Sequence, residues 1–459
     1  VHGLFAALGA NPFVGGGVDP AIAFATFLAL TVISLAIDRR PLLASSFIYI
    51  VTATASLIRD AYQGAQSGER MLHAAMAPAV IGVLLLALAA AWPHLRRAVL
   101  VLLPDRVRRL LPPVTLSVQP APASVEDMPE AEKEPVRLVL GFNDFFVALG
   151  AMALFVGSIF IGVQIAITAL PDPAWERGEQ ALLSGAVWIP VAVPALAMWL
   201  VAEYFVRVRR MAWPAILSAL AFWVAGWAAG ILLAWRFGYT QQAAYLDLAF
   251  PFASGKSLSP AIAVQCLLIA CAVPTIANLL FWWRHRVPVS FALAVASLLP
   301  LLFIDRITAG LANGSMEPAA IDWPLRLLLG GALTFACAMV WDRSDPGRTT
   351  RRADTAFWLH LLASLLVIPA CFALAMRLDG GAALVAAGFA GLVVLAVMID
   401  RRAALAVALP FVISALGPLF GAGGQMLFGV ALSGALLALV LRWDQARARL
   451  GRFAAGVGR

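Results

Sequence analysis

The segment 380–402, GGAALVAAGFAGLVVLAVMIDRR, decides the fold of this chain. About 20 consecutive apolar residues are enough for a helix to cross a bilayer core, because each residue rises about 1.5 Å. A helix also satisfies its own backbone hydrogen bonds, which lipid cannot do. The run ends abruptly at Asp400, Arg401 and Arg402, as expected where a membrane span meets a basic turn. The segment therefore predicts a transmembrane helix.

Runs of this kind recur along the whole chain. Hydrophobic residues make up 62% of its 459 residues, charged residues only 13%, and the mean hydropathy is +0.89. A soluble domain carries about 25% charged residues, so the composition excludes one. We predict an all-α, polytopic helical membrane protein with about 13 transmembrane helices, at 18–37, 41–58, 72–92, 144–170, 180–203, 212–235, 258–283, 287–308, 322–341, 355–376, 380–399, 403–420 and 424–442.

The turns between these runs alternate between basic and nearly free of basic residues. Of the 33 Lys and Arg residues, 25 fall on one side if the turn at Arg39 and Arg40 is cytoplasmic, and six fall on the other. Positive residues concentrate in cytoplasmic loops, so we predict that the N-terminus lies outside and the C-terminus inside. The net charge of +8 then gives no indication of nucleic-acid binding. The expected partners are the lipid bilayer and its anionic phospholipid headgroups.

One segment interrupts the apolar pattern. Residues 111–136 carry six prolines and five acidic residues, a composition that cannot bury enough apolar surface to fold. We predict a disordered cytoplasmic linker there. It separates a three-span N-terminal unit, 1–110, from a ten-span core, 137–442, which is followed by a basic cytoplasmic tail, 443–459.

The chain contains an internal repeat. Residues 27–53 align without gaps with residues 389–415, and both copies place the sequence Ile-Asp-Arg-Arg between two apolar runs. Similar hairpins, each a basic turn followed by a helix that starts near proline, occur at 207–214 and 284–288. The hairpins have the same orientation, so we predict parallel rather than inverted repeats. The alternative is that short cytoplasmic turns converge on Arg and Pro independently.

The sequence lacks the common signatures of catalysis. It contains no HExxH, GxSxG, Walker or CxxC motif, so we predict neither an enzyme nor a bound cofactor or metal. The four cysteines all lie in apolar runs, and the five-residue spacing of Cys266 and Cys271 points them to different helix faces. We expect free thiols that behave as small buried hydrophobic groups.

The densest polar stretch is 341–354, between the ninth and tenth predicted spans. It brings both signs of charge to a helix N-terminus, with one histidine deeper in the tenth span, where ionisable groups are expensive and mark functional sites. The candidate polar site therefore consists of Asp342, Asp345, Arg351, Arg352, Asp354 and His360. The alternative is structural: Asp354 caps the tenth helix, the arginines set topology, and His360 bonds to a neighbouring helix.

Four charged residues at the outer ends of the eighth and ninth spans form a secondary candidate. Asp322 and Arg326 are four residues apart and so share a helix face; the others are Asp305 and Arg306. They either guard a vestibule for a polar solute or simply pair with one another and reach the interface. Elsewhere we expect Glu203 to pair with a nearby arginine and Asn278 to bond between helices.

Several motifs resemble those of a family of multi-span inner-membrane proteins of Gram-negative bacteria. They are the sequences GFNDFFV at 141–147, RRMAWP at 209–214, RVP at 286–288, DRSDP at 342–346 and RRADTAFWLHLL at 351–362. The resemblance covers the chain from about Arg137 to the C-terminus and implies a multi-pass protein of the bacterial inner membrane. It implies no activity, because the family has no assigned catalytic residues.

Two functional classes fit these observations. The first is a secondary transporter or flippase for a small polar or amphipathic solute, favoured by the span number, the parallel repeats and helices interrupted by Pro or Gly. The second is a non-transporting scaffold or envelope-biogenesis protein, favoured by the shortage of charge within the spans. An intramembrane enzyme for lipid-linked substrates is a third interpretation, which lacks a paired acid and base.

Overall fold

The computed structural model describes residues 31–32, 68–102, 142–169, 184–241, 259–313, 323–347, 350–399 and 403–448. Every regular element that it assigns within these ranges is a helix, which confirms the predicted all-α class for the described part of the chain. In chain order the α-helices are α1 Gly68–Leu102, α2 Phe142–Ala169, α3 Ile189–Val201, α4 Ala212–Gln241, α5 Pro260–His285, α6 Pro288–Ala296, α7 Ile304–Asn313, α8 Trp323–Arg343, α9 Arg351–Ala375, α10 Gly381–Ile399, α11 Ala403–Leu416 and α12 Gly421–Leu441.

Three 3-10 helices and one π-helix join some of these elements. The 3-10 helices are Gly185–Trp188, Leu299–Phe303 and Gly417–Phe420, and the π-helix is Ala202–Val208. Nine helical stretches in the described ranges are long and apolar enough to cross a membrane. They coincide with nine of the thirteen predicted spans.

The other four predicted spans have different outcomes. Spans 72–92 and 403–420 contain apolar helical stretches that are shorter than a full crossing, Pro78–Ala91 and Ala404–Phe420. The first two predicted spans and the proline-rich linker fall outside the described residues, apart from two helical residues at 31–32. The two Asp-Arg-Arg turns of the internal repeat fall outside them as well. The count of thirteen and the repeat remain predictions.

The chain divides into two compact units. The first comprises Val1–Leu232 with Trp283–Val287, and the second comprises Leu233–Trp282 with Pro288–Arg459. In the described part of the first unit, α1 packs along α2, and α2 packs along α3. The predicted third span therefore lies directly against the first span after the linker.

Glycines allow α1 and α2 to approach closely. A Cβ atom at Gly157 would lie 2.2 Å from the backbone nitrogen of Ala79, and one at Gly82 would lie 2.4 Å from that of Leu154. Small residues at helix crossings let two backbones come into van der Waals contact, which is a main source of association between helices in lipid. The apolar core beside this crossing contains Leu86, Val147, Ala151, Met198, Val201, Phe205 and Ala221.

In the second unit, α9 is the central helix. It packs against α6, α8, α10 and α11. A buried cluster of Ala292, Ala338 and Leu359 joins α6, α8 and α9, with Phe291 and Trp341 packed against it at 5.3 Å between ring centroids. Because α9 is enclosed by neighbours over much of its length, some of its polar residues, Thr355 and His360, are buried inside the helix bundle.

The predicted eighth span, 287–308, is not a single α-helix. The helix α6 ends at Ala296, a 3-10 segment follows, and α7 begins at Ile304. Pro300 lies at the start of the 3-10 segment and has no backbone N–H, so it cannot continue the α-helical hydrogen-bond ladder. The break exposes carbonyl groups that need other donors.

Many large apolar side chains face outward. On α12, Met426 is 79% exposed and Leu441 is 78% exposed, and no residue in the apolar stretch Gly424–Leu441 is buried. A soluble monomer rarely exposes so continuous an apolar surface. The exposed surface of the described helices therefore has the apolar character expected of a surface in contact with lipid.

Candidate functional site

Asp342 and His360 form a buried polar pair. His360 Nε2 lies 3.2 Å from Asp342 Oδ2, and the side chains are only 5% and 10% exposed. The pair joins the last turn of α8 to α9, and the ring of Phe335 packs edge-on against the imidazole at 5.3 Å. The described contacts thus bring together two of the six predicted site residues, and His360 bonds to a neighbouring helix as its structural interpretation requires.

The start of α9 differs from the predicted one. The helix begins at Arg351 rather than near 355, and its N-cap is Thr350, whose Oγ1 accepts a hydrogen bond from the backbone N–H of Arg352. Asp354 lies in the first turn, where its charge favours the positive end of the helix dipole, so it is not the cap that we predicted. His360 is consequently nine residues inside the helix, about 13 Å along its axis.

Asp345 organises the turn between the two helices. Its Oδ2 accepts hydrogen bonds from the backbone N–H of Thr350 at 2.9 Å and from its hydroxyl at 2.7 Å. The carboxylate is buried, and its contact with the capping residue fixes where α9 starts. The described contacts of this predicted site residue therefore give it a structural role in the loop between α8 and α9. Arg352 and Asp354 are exposed and Arg351 is half-buried, all on the first turn of α9.

The secondary candidate contains an ion pair across the helix break. Arg326 Nη2 donates to Asp305 Oδ2 at 2.8 Å, and its Nη1 bonds both to Asp305 Oδ1 and, at 2.8 Å, to the carbonyl of Leu302. Arg306 lies farther away, with its Nε 3.6 Å from the same carboxylate. Arg326 thus supplies a donor to the 3-10 segment, and the predicted pairing has a structural role. Asp322 lies outside the described residues.

Sequence reasoning expected only simple pairing at Glu203, which lies in a richer cluster in the first unit. Its carboxylate forms two ion pairs. Arg207, on the same π-helix, places its Nη1 3.0 Å from Oε2, and Arg284, at the end of α5, places its Nη2 2.9 Å from Oε1. The next residue, His285, is fully buried and packs edge-on against Trp199 at 4.8 Å. The π-helix is the local feature that indicates a functional site here, because such segments are frequent at functional sites. It could not be predicted from the sequence.

The two basic turns in this unit share an unusual backbone conformation. Arg210 has φ 56° and Arg286 has φ 57°, both in the left-handed region. Each arginine lies two residues before a helix with proline in its first turn, Pro214 in α4 and Pro288 in α6. The likeness of the two hairpins noted in the sequence therefore extends to their backbone geometry.

Asp144 is a buried polar residue that the sequence analysis quoted but did not select. Its Oδ2 accepts a hydrogen bond from the backbone N–H of Ala212, the first residue of α4, at 3.1 Å. A carboxylate at this position satisfies one of the unpaired amides of the helix start and favours the positive end of its dipole. An acidic residue at the start of an apolar span is the signal that would have identified it.

Asn278 and the cysteines also depart from expectation. The Asn278 Nδ2 donates to the carbonyl of Pro274 on its own helix at 2.9 Å, and the described residues include no partner on another helix, so the predicted bond between helices is not found among them. All four cysteines are free, but Cys371 is exposed rather than buried and Cys337 is half-buried. Cys266 Sγ donates to the carbonyl of Ala234 at 3.3 Å.

An apolar cavity of about 430 Å³ lies between α9, α10 and α11. None of the described residues that line it carries a charge. Within the described residues, no three His, Cys, Asp or Glu side chains converge as a metal site would require.

No protein-family model matches this chain, and neither a curated protein nor a solved structure shows significant similarity to it.

Proposed function

We propose that this protein is a multi-pass membrane protein that moves a small amphipathic or polar solute across the bilayer, as a secondary transporter or flippase. The observation that carries the proposal is the Asp342–His360 pair, two ionisable groups buried between apolar helices of membrane length. Charged groups in such helices are expensive, face the bundle interior and mark the paths of solutes or protons.

The arrangement of α9 supports this proposal. Its first turn carries two arginines and one aspartate, its middle part carries His360, and its last turns border the apolar cavity. One helix therefore carries ionisable groups and also borders an apolar cavity, which together supply the two kinds of contact that moving an amphipathic solute requires. The break at Leu299–Phe303 and the prolines inside α5, α9 and α11 add points where helices can bend.

A scaffold role is the second candidate, and one observation favours it. Most charged groups described above have a structural partner: Glu203 holds two arginines, Asp305 holds Arg326, and Asp345 holds Thr350. A scaffold protein requires only such structural roles from its charged groups. The pair at Asp342 and His360 differs in burial, because its side chains are 10% and 5% exposed, whereas those of Glu203 and Asp305 are 28% and 52% exposed.

A flux assay tests the proposal. The purified protein in proteoliposomes is given a panel of fluorescent anionic, zwitterionic and neutral amphiphiles, together with small polar dyes. We expect saturable flux of at least one compound above that of protein-free vesicles. Replacing His360→Gln or Asp342→Asn should abolish this flux at unchanged protein abundance, whereas the exposed controls His94→Gln and Asp444→Asn should retain it.

Two results would contradict the transport proposal. The first is the absence of flux for every compound in the panel. The second is flux in the His360→Gln and Asp342→Asn variants that merely follows the amount of folded protein. Either result would favour the scaffold role.

We further propose that the protein lies in the bacterial inner membrane, with the C-terminus in the cytoplasm. The support is the asymmetry of basic residues across the predicted turns. A reporter fused after Arg459 should score cytoplasmic, and one inserted near Gly64 should score periplasmic. Both reporters on the same side would contradict the odd number of spans.

A further inference from the structure

The cavity between α9, α10 and α11 has a wholly apolar wall apart from one thiol. The α9 side extends from Val367 to Leu378 and includes Cys371. The α10 side includes Leu384 and Gly388, and the α11 side is formed by Ala408, Phe411 and Val412. A polar molecule would find no hydrogen-bond partner on these side chains, so the occupant must be apolar where it contacts them.

The size of the cavity fits one hydrocarbon chain. Its volume of about 430 Å³ falls in the range of about 300–1,000 Å³ typical of small-molecule sites. Taking a methylene group as about the size of a water molecule, roughly 30 Å³, the cavity holds about 14 carbons. The lining of α9 from Val367 to Leu378 covers 11 residue steps, about 16 Å along the helix axis. This space is elongated and holds one chain rather than two.

A polar turn lies at one end of this elongated space. The lining residue Leu378 directly follows Arg377, and the turn also carries Asp379; both charged side chains are exposed. The other end, at Val367, lies among apolar side chains, where Val367 packs into the space left by Gly331 on α8. A molecule with a polar head and an apolar chain therefore fits with its head at the turn.

We propose that this cavity binds the chain of a single-tailed lipid amphiphile, such as a lysophospholipid, with its headgroup at the 376–380 turn. This inference rests on the proposed function, because it names the class of solute that the protein moves. It differs from ordinary lipid contact, in which two-chain lipids cover the outside of the bundle without preference.

Cys371 reports occupancy directly. It is exposed and lines the cavity, whereas Cys337 on α8 is half-buried and lies outside it. The intact protein in detergent-free nanodiscs of two-chain phosphatidylcholine is treated with a membrane-permeant maleimide, and labelling at each cysteine is measured by mass spectrometry. Lysophosphatidylglycerol at ten times its dissociation constant should slow labelling of Cys371 about tenfold, because about one site in ten stays empty. Labelling of Cys337 should be unchanged.

The same measurement with two-chain phosphatidylglycerol distinguishes the sources of a chain. Protection of Cys371 by the single-tailed compound alone supports the proposal. Equal protection by both lipids at equal concentration would overturn it, since the cavity would then be an ordinary lipid contact. Unchanged labelling with either lipid would overturn it as well.

A glycine variant fills the cavity without disturbing the backbone. A Cβ atom at Gly388 would meet nothing within 4 Å, and the same holds for Gly391 one turn later, which does not line the cavity. Gly388→Leu should abolish protection of Cys371 by lysophosphatidylglycerol, whereas Gly391→Leu should leave it intact. Equal protection in both variants would overturn the assignment of the chain to this space.

The position of the headgroup has its own test. Arg377→Gln should weaken the protection by lysophosphatidylglycerol, whereas Arg352→Gln, on the first turn of α9, should not. The reverse pattern would overturn the proposed orientation.

Binding without flux in proteoliposomes would support this site and contradict the transport proposal. Flux that persists in Gly388→Leu would support transport and contradict this site.

Discussion

Replacement of Gly157 by alanine should loosen the contact between α1 and α2. The added Cβ atom would lie 2.2 Å from the backbone nitrogen of Ala79 and 2.5 Å from its Cα atom. Both are main-chain atoms, so no side-chain rotation can relieve the overlap. Restoring ordinary van der Waals separation requires the two helices to move apart by about 1 Å at this point.

The expected effect combines two opposing contributions. Overpacking of a close contact typically destabilises by about 1–3 kcal/mol. Alanine in place of glycine in a helix stabilises by up to about 1 kcal/mol. Gly391→Ala is the matched control, because its Cβ atom would meet nothing within 4 Å and it reports the helix contribution alone. We expect Gly157→Ala to be less stable than Gly391→Ala by about 1–3 kcal/mol.

The measurement is unfolding in mixed micelles, with sodium dodecyl sulfate as denaturant and helix content or tryptophan fluorescence as signal. Gly157→Val should show a larger loss than Gly157→Ala, because a branched side chain needs still more room. A Gly157→Ala protein whose free energy of unfolding lies within about 0.5 kcal/mol of that of Gly391→Ala would refute the reasoning.

Two other predictions concern polar groups that hold helix ends. Asp144→Ala removes the carboxylate that caps α4 and should lower the free energy of unfolding by about 0.5–2 kcal/mol in the same titration, whereas the exposed Asp444→Ala should have little effect. An equal loss in both variants would contradict the capping role. Arg326→Gln leaves the carbonyl of Leu302 without its charged donor, so amides of α7 should exchange hydrogen faster. The control is Arg306→Gln, because Arg306 lies farther from the Asp305 carboxylate. Equal exchange rates in the two variants would contradict the stabilising role of Arg326 at the helix break.

For nine helices of the described ranges the sequence was sufficient, because a helix that is to cross a bilayer must be both long and apolar. The nine membrane-length helices coincide with predicted spans. The error at the start of α9 has a clear cause: Arg351, Arg352 and Asp354 are helical although they are polar, and a search for apolar runs passes over them. The break at Pro300 was missed because the apolar run continues through it.

The candidate site was only partly predictable for a related reason. Asp342 and His360 come from consecutive helices joined by a short loop, so their proximity follows from an antiparallel hairpin. The contact of Glu203 with Arg284 joins residues 81 positions apart and depends on which helices become neighbours. Helices that are apolar on all sides give no periodicity that would reveal those neighbours.

The left-handed arginines at positions 210 and 286 have a consequence for protein engineering. An L residue in that conformation is held at a strain of roughly 1–3 kcal/mol, which glycine would relieve. A sequence chosen only for backbone fit would therefore place glycine at both turns and lose two of the basic residues on which the predicted orientation rests. At these turns the stability of the finished fold favours glycine, whereas the proposed orientation in the membrane favours a basic residue, and this chain carries arginine at both.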